Sequence, residues 1–161
     1  AEDCARLGIA AADVLVPCGG GGMTAGIALA LQARAPGLRV RPCEPEGFDD
    51  ATRSLAAGRR VANALAAGSI CDAIVTAMPG ELTFPVMARL CGPGIAVSDA
   101  EALAAMRAAA LRLKIVAEPG GAVALAAALA RPAAFEPDRP VIVVVSGGNA
   151  DPAMIARALA G

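Results

Sequence analysis

Histidine, tryptophan and tyrosine are absent from this sequence of 161 residues, and phenylalanine occurs only three times. The absence of histidine excludes Ser-His-Asp triads, histidine metal ligands and histidine general bases. Because aromatic residues are scarce, the core must be built from alanine, valine, leucine and isoleucine, which predicts close packing between neighbouring elements. Lysine is scarce as well, since Lys114 is the only one in the sequence.

The charge pattern and the cysteines exclude several further classes of protein. The net charge is -1 and no basic block is present, so we expect no nucleic-acid partner. Five cysteines without a CxxC pair argue against a disulfide framework or a zinc site and favour a reduced, cytoplasmic protein. The uncharged stretch 14–33 has the length of a bilayer span, but Pro17 and four consecutive glycines interrupt it. We therefore expect no membrane segment.

Short β-branched runs alternate with longer runs rich in alanine and leucine along the chain. Strands are predicted at 14–16, 39–43, 95–97 and 141–145, with helices between them. The run 141–145 is apolar without alternation, which predicts burial of both faces, as in a parallel sheet covered by helices. The sequence therefore predicts one α/β domain over residues 1–161, with an open, mainly parallel twisted sheet flanked by helices.

Four consecutive glycines, Gly19, Gly20, Gly21 and Gly22, followed by Met23, lie between the first strand and the next helix. Glycine lets the backbone turn tightly and lets a ligand approach closely, because there is no side chain. Successive N–H groups and the positive end of the following helix favour an anion at this point. The segment therefore predicts a phosphate-binding loop.

A dinucleotide site is an alternative interpretation of the same loop. Gly20, Gly22 and Ala25 satisfy the pattern GxGxxG/A, and Glu44 follows the second strand where a ribose-binding acid is expected. The pattern needs only three positions, and a run of four glycines meets part of it by chance. The lysine of a P-loop is missing, which argues against a Walker-type nucleotide triphosphatase.

Two further loops follow predicted strands. Ser146 begins the loop 146–149, and Glu118 begins the segment 118–122 that leads into a helix. Ligands of open α/β sheets bind beyond the carboxyl ends of the strands, so the loop at 146–149 and the glycine loop are expected to meet at one crevice. The alternative roles are structural, a turn serine for Ser146 and a helix-stabilising acid for Glu118.

These segments and several others occur in the order seen in one enzyme family. The matching segments are Val16-Pro17-Cys18 with the glycine loop and Met23, Glu44-Pro45, Ser69-Ile70-Cys71-Asp72, Pro79 to Phe84, Val97 to Glu101, Glu118 to Ala122 and Ser146 to Asn149. Together they resemble the fold-type II pyridoxal-phosphate (PLP) enzymes, in particular threonine/serine dehydratases and serine racemase. The resemblance covers nearly the whole chain and implies a partial large domain like that of the tryptophan synthase β subunit.

The resemblance implies roles for individual residues around the cofactor. Gly19 to Met23 would bind the PLP phosphate through their N–H groups, Ser146 would hydrogen-bond the pyridine nitrogen, and Glu118 would lie near the ring. The family has an Asp-Gly step beside the cofactor, where this sequence has Asp72 and Ala73. The methyl group of Ala73 is a departure from the family pattern.

The resemblance also implies a divalent cation after the second strand. In members similar to serine racemase this segment binds Mg²⁺ or Ca²⁺, and the matching groups are Glu44, Asp50 and the carbonyl of Phe48. The alternative interpretation is a solvated acidic loop without a metal.

The family's catalytic Schiff-base lysine and its small substrate-binding domain lie upstream of the matching segments, so we expect this chain to be a C-terminal part without a catalytic residue of its own. Lys114 lies in the wrong motif. The resemblance implies deaminating dehydration of L-threonine or L-serine to a 2-oxo acid and ammonia, with racemisation or another β-elimination as alternatives. The chain alone is predicted to be inactive, and exposed apolar surface predicts a homodimer.

Overall fold

A computed structural model describes all residues from 1 to 161. It contains four strands: β1 (Ala12–Pro17), β2 (Leu38–Pro45), β3 (Ile95–Val97) and β4 (Val141–Val143). The α-helices are α1 (Glu2–Arg6), α2 (Gly22–Arg34), α3 (Asp50–Ala57), α4 (Thr83–Leu90), α5 (Asp99–Ala108), α6 (Pro119–Ala130) and α7 (Pro152–Ala160). A π-helical segment, Ala109–Leu113, continues α5, and short 3-10 turns occupy Asp72–Ile74 and Pro132–Ala134. None of the helices combines the length and apolar composition that crossing a bilayer requires.

The four strands form one sheet in the order β3-β2-β1-β4, and every neighbouring pair is parallel. Leu15 of β1 is in register with Arg41 of β2 on one side and with Val143 of β4 on the other. The carboxyl ends of these strands therefore share one edge of the sheet, and the loops that follow β1 and β4 start side by side. This arrangement confirms the predicted parallel α/β sheet.

Helices cover both faces of the sheet because alternate residues of each strand point to opposite sides. Leu15 packs into a core with residues of α5 and α6. Val14 and Val16 pack on the other face against Ala28 and Leu31 of α2. Alanine dominates the buried part of α6, so this helix packs closely against both α5 and the sheet. The prediction of close packing through small residues is confirmed.

The helix boundaries follow local signals in the sequence. Ser98 accepts a hydrogen bond from the backbone N–H of Glu101, and the carboxylate of Glu101 accepts one from the N–H of Ser98, so the two residues form a capping box at the start of α5. Gly58 ends α3 in the left-handed conformation, with φ at 65°. Asp151 caps α7, where Pro152 occupies the first helical position.

The structure corrects the prediction for the run 141–145. Only Val141–Val143 forms a strand, so β4 is shorter than predicted, and its residues are half-buried. Both faces of the run are covered as predicted, since Val141, Val143 and Val145 pack against the core formed with α5 and α6, and Ile142 and Val144 pack against the core formed with α2. β4 is the last strand of the sheet and pairs with β1 alone, so its outer edge has no neighbouring strand.

Asp13 lies at the amino end of β1, at the opposite end of the strand from the glycine loop. Its carboxylate is buried and accepts hydrogen bonds from Arg39 at 2.8 Å, Arg139 at 2.9 Å and Arg41 at 3.2 Å. Burial raises the pKa of Asp13, but the hydrogen bonds from Arg39 and Arg41 outweigh that effect and hold the pKa below its ordinary value. The hydrogen bonds that these arginines donate to Asp13 join β1 and β2 to the segment that precedes β4.

Candidate functional site

The glycine loop leaves β1 after Pro17 and enters α2 at Gly22. Gly21 has a φ of 88°, a conformation that side-chain-bearing residues rarely adopt. The N–H groups of residues 20–23 donate to no acceptor in the chain. A Cβ atom placed on Gly20 or Gly22 would meet nothing within 4 Å. The loop therefore presents free N–H donors to open space at the positive end of a helix of 13 residues.

The other side of the glycine loop is closed by protein. A Cβ atom on Gly21 would lie 2.6 Å from the Cε atom of Met87 in α4, and one on Gly19 would lie 3.1 Å from the carbonyl oxygen of Ile74. The loop is thus held between α4 and the turn at Asp72–Ile74. Only the face that carries the free N–H groups is open.

The second predicted loop begins directly beside the first. The N–H of Val144 donates to the carbonyl oxygen of Leu15 at 3.0 Å, so the chain after β4 still follows β1 as it approaches Ser146. Ser146 is exposed, and its hydroxyl makes no hydrogen bond within the chain. Its backbone N–H donates to the carbonyl of Gly121 at 3.4 Å. The hydroxyl is therefore free to bind a ligand.

Glu118 and the loop 146–149 are in direct contact. The N–H of Glu118 donates to the carbonyl oxygen of Gly147 at 3.0 Å. The side chain of Glu118 also covers the Cα atom of Gly147 so closely that any Cβ atom there would overlap its carboxyl group. Glu118 is half-buried and precedes Pro119, the first residue of α6. The structure thus brings Glu118 and Ser146 to the same edge of the sheet.

Ala73 links the glycine loop to the start of α6. It lies in the 3-10 turn Asp72–Ile74, whose Ile74 carbonyl packs on Gly19. A Cβ atom on Gly120 would lie 3.5 Å from the methyl group of Ala73, which is ordinary van der Waals contact. Ala73 itself is exposed, so its methyl group has room at the surface.

A cleft of about 300 Å³ lies beside Glu118 at the carboxyl ends of the strands, and neither the glycine loop nor Ser146 lines it. Its lining residues are Ser69, Ile70, Asp72, Glu118, Pro119, Asn149, Ala150, Asp151 and Met154. Polar and acidic side chains predominate, and Asp151 already caps α7 through the N–H of Ala153 at 2.7 Å. The cleft extends from the Asp72 turn to the start of α7, beside Glu118.

The two carboxylates predicted to bind a divalent cation have other partners. Both carboxylate oxygens of Glu44 accept hydrogen bonds from the first turn of α3, from the N–H of Ala51 at 2.8 Å and of Thr52 at 2.7 Å. The carboxylate of Asp50 accepts a bond from Asn63 at 2.7 Å. Residues 1–161 contain no group of three histidine, cysteine, aspartate or glutamate side chains placed to hold a metal ion. The arrangement gives no support to a cation site here.

Burial bears on two alternatives that the sequence left open. Glu44 and Asp50 are buried, but Glu46 is exposed and Asp49 is half-buried, so the segment is only in part the solvated acidic loop of the alternative interpretation. Burial raises the pKa of Glu44 to about 7, although the hydrogen bonds from Thr52 and Ala51 act in the opposite direction. With both oxygens occupied inside the protein, Glu44 is not available to the ribose of a dinucleotide, and the alternative that relied on it loses its acidic residue.

Sequence reasoning missed two residues that contact the glycine loop from α4 and the turn before it. The hydroxyl of Thr83 and the N–H of Gly80 both donate to the carbonyl oxygen of Gly20. Both residues belong to the segment Pro79–Phe84, which the motif order singled out without a role. The signal that could have identified them is a glycine and a threonine three residues apart at the beginning of a helix.

Comparison with known proteins agrees with this geometry. The family model described as "Pyridoxal-phosphate dependent enzyme" matches residues 1–147. This chain belongs to that family of PLP-dependent enzymes. The predicted resemblance to this family is therefore confirmed.

Relatives within the PLP family carry several activities. A β-hydroxyaspartate dehydratase of Paracoccus denitrificans is 41% identical over 138 residues, which is 86% of this chain and 43% of that protein. A serine racemase of Oryza sativa subsp. indica is 37% identical over 142 residues, which is 86% of this chain and 41% of that protein. The chain thus spans less than half the length of these curated relatives.

Solved structures of PLP-dependent enzymes share the fold. A T.th. threonine deaminase has a TM-score of 0.86 and 38% identity, over 93% of this chain and 53% of that one. A maize serine racemase has a TM-score of 0.85 and 34% identity, over 99% of this chain and 49% of that one. The α/β fold predicted from the sequence, with its parallel sheet between helices, is confirmed by these neighbours.

Proposed function

We propose that this chain forms the phosphate-gripping part of the PLP-binding domain of an ammonia-lyase that acts on L-threonine or L-serine. One observation carries the proposal: the N–H groups of residues 20–23 are unpaired and face open space at the edge where Ser146 lies. Three or more converging N–H donors at a helix N-terminus suit a doubly charged phosphate ester. Structural likeness to a threonine deaminase and sequence identity to a hydroxyaspartate dehydratase support the lyase class.

The individual residues would act on the cofactor in distinct ways. The N–H groups of Gly19 to Met23 would hold the phosphate, and the absence of side chains at Gly20 and Gly22 leaves it room. Ser146 would place its free hydroxyl at the pyridine nitrogen. The cofactor supplies an electron-withdrawing ring that stabilises negative charge on the substrate α-carbon. Ala73 and Glu118 would lie beside the ring.

The choice of serine at the pyridine nitrogen bears on the reaction type. A hydroxyl is neutral and can either donate or accept, so Ser146 does not force the nitrogen to be protonated as a carboxylate would. Negative charge on the α-carbon is then stabilised less, which favours departure of a β-hydroxyl group. The products would be a 2-oxo acid and ammonia.

A racemase or another β-eliminase is the second candidate. The observation that favours it is the 37% identity to a serine racemase and the TM-score of 0.85 to another. The two activities differ in whether the β-hydroxyl group leaves or the α-proton returns. Chiral chromatography of serine incubated with the full-length protein separates them, because D-serine indicates racemisation and pyruvate indicates dehydration.

We further propose that the catalytic lysine of the whole protein lies outside residues 1–161. Lys114 is exposed and follows the π-helical segment, with a φ of 60°. Its ammonium group donates a hydrogen bond to the carbonyl oxygen of Leu111 at 2.7 Å. Lys114 belongs to none of the segments that form the cleft. The purified polypeptide 1–161 should produce no pyruvate from serine and no 2-oxobutyrate from threonine, and turnover by this polypeptide would overturn the proposal.

PLP binding itself is tested by isothermal titration calorimetry of the chain with PLP, with NAD as the competing candidate. Binding of PLP without binding of NAD supports the proposal. Binding of NAD alone would replace it with the dinucleotide alternative. A Ser146→Ala variant should bind PLP more weakly while leaving the phosphate cradle intact. Gly26→Ala, at an exposed position of α2, is the control and should bind PLP as the unchanged chain does.

We propose a homodimer in a reducing, cytoplasmic setting. Leu111, Leu113, Ile115 and Val116 are exposed within six residues, and β4 has no partner on its outer side. Exposed apolar surface of this kind marks contact sites. The five cysteines are all free, which fits a reduced compartment. Light scattering that gives only the monomer mass would contradict the dimer.

A further inference from the structure

The carbonyl group of Gly20 is held by two donors from a single turn. The Thr83 hydroxyl, on the first residue of α4, lies 2.5 Å from the Gly20 oxygen, and the N–H of Gly80 donates to the same oxygen at 3.0 Å. The Thr83 hydroxyl also lies 3.3 Å from the carbonyl of Gly80. A hydroxyl has one proton, so the shorter distance assigns its donation to Gly20.

The direction of this carbonyl determines the direction of the next N–H group. A trans peptide is planar, and its C=O and N–H bonds point to opposite sides. Because the Gly20 oxygen points inward at Thr83 and Gly80, the N–H of Gly21 points outward, into the open side of the loop. That side is where the N–H groups of residues 20–23 have no acceptor in the chain.

A loop of four glycines contains no side chain that could fix the orientation of the Gly20 peptide. Glycine has the largest conformational freedom of all residues, and ordering a flexible loop upon binding weakens affinity. Met87 fills the space behind Gly21, but it provides only packing, because its thioether donates no hydrogen bond. The two hydrogen bonds to Gly20 are the directional contacts that fix the peptide.

We propose that Thr83 is a positioning residue that sets the affinity of the glycine loop for the phosphate of PLP. It does not touch the ligand; it fixes the Gly20 peptide so that the Gly21 N–H is aimed before the phosphate arrives. The inference rests on the proposed function, since it assumes that the loop binds the PLP phosphate.

The test compares Thr83→Val with Thr83→Ser and the unchanged chain, each within the full-length protein. Valine keeps the shape of threonine and removes the donor, whereas serine keeps the hydroxyl. Dissociation constants are measured by calorimetry for PLP and for pyridoxal, which is the same ring without phosphate. We expect Thr83→Val to weaken PLP binding about tenfold, which corresponds to ~1.4 kcal/mol. Pyridoxal binding should change little, and Thr83→Ser should remain within about twofold of the unchanged chain for both ligands.

The ratio of the two affinities separates positioning from general damage. A structural defect would weaken PLP and pyridoxal alike and leave their ratio unchanged, and that result would overturn the inference. Should Thr83→Val fail to fold by circular dichroism, Thr83→Ala tests the same point, because it removes the hydroxyl and leaves the Gly80 N–H in place. If the unchanged chain binds PLP and neither variant alters the ratio, the inference fails alone. If the unchanged full-length protein binds no PLP, the proposed function fails and the inference falls with it.

Discussion

Gly121 lies so close to the backbone of Gly147 that a side chain at position 121 has no room. A Cβ atom on Gly121 would lie 2.6 Å from both the amide nitrogen and the carbonyl oxygen of Gly147. The contact joins the first turn of α6 to the loop that carries Ser146. Two segments that are separated in the sequence thus meet backbone to backbone at the candidate site.

Replacement of Gly121 by alanine should therefore destabilise the fold. Because the obstructing atoms belong to the backbone of Gly147, the loop 146–149 must move, and overpacking of this kind costs about 1–3 kcal/mol. Urea unfolding measures the change. Gly26→Ala is the matched control, since a Cβ atom there meets nothing within 4 Å and alanine favours a helix by up to about 1 kcal/mol. Equal stability of Gly121→Ala and the unchanged chain would contradict the close contact.

Replacement of Asp13 by asparagine should be more costly. Three arginines would lose their shared carboxylate, and breaking a buried ion pair costs about 3–5 kcal/mol at neutral pH. The pKa of Asp13 is lowered in the folded state. The stability that its carboxylate contributes is therefore present above pH 3.8 and is lost as the pH falls through the lowered pKa. The difference in the free energy of unfolding between Asp13→Asn and the unchanged chain, measured by urea unfolding, should become smaller in acid. Asp138→Asn, at an exposed position without an ion pair, should change stability by less than about 0.5 kcal/mol.

The buried carboxylate of Glu44 should make stability fall as the pH rises. Its pKa is about 7 in the folded chain against 4.5 as the ordinary value, so the folded state holds the proton more tightly than the unfolded state. The contribution is fully present below 4.5 and is lost as the pH rises through about 7, by an amount on the order of 3 kcal/mol. The free energy of unfolding should fall over this range relative to Glu44→Gln, which has no proton to lose. Glu2→Gln, at the exposed first residue of α1, should show the same pH profile as the unchanged chain.

The capping box of α5 offers a test of local structure. Ser98→Ala removes the acceptor for the N–H of Glu101, and the loss of an N-cap costs about 1 kcal/mol. Ser98→Thr retains a hydroxyl that can accept the same bond and should lose only a small part of that stability. Thermal unfolding followed by circular dichroism measures both variants. A Ser98→Ala protein as stable as Ser98→Thr would show that the cap contributes nothing here.

Much of the fold could be predicted because its determinants are local. The tetraglycine segment, the Ser98 cap and Pro152 each indicate an element boundary within a few residues, and the structure places boundaries there. The alternation of strands and helices was sufficient for a parallel sheet, because strands joined through a helix in one sheet run parallel. The order of the motifs along the chain was sufficient to predict the family of PLP-dependent enzymes.

The errors arose where a residue's role depends on a distant neighbour. Glu44 was expected to face a cation or a ribose, but its carboxylate caps α3, a helix that starts six residues later. The run 141–145 was expected to form one strand throughout, but only Val141–Val143 does, and β4 lies at the edge of the sheet. Neither the direction of a buried carboxylate nor the number of strands beside a given strand is present in local periodicity.

The sequence by itself determined the glycine loop, the helix caps, the α/β class and the family, because these depend on backbone freedom, hydrogen-bond capacity and spacing between residues that are close along the chain. Only the tertiary structure decided that Thr83 holds the carbonyl of Gly20, from 63 residues away, and that Gly121 meets Gly147. The physical reason is that hydrogen bonds and close packing act over a few ångströms in space, and the order of strands in the sheet determines which distant residues come within that range.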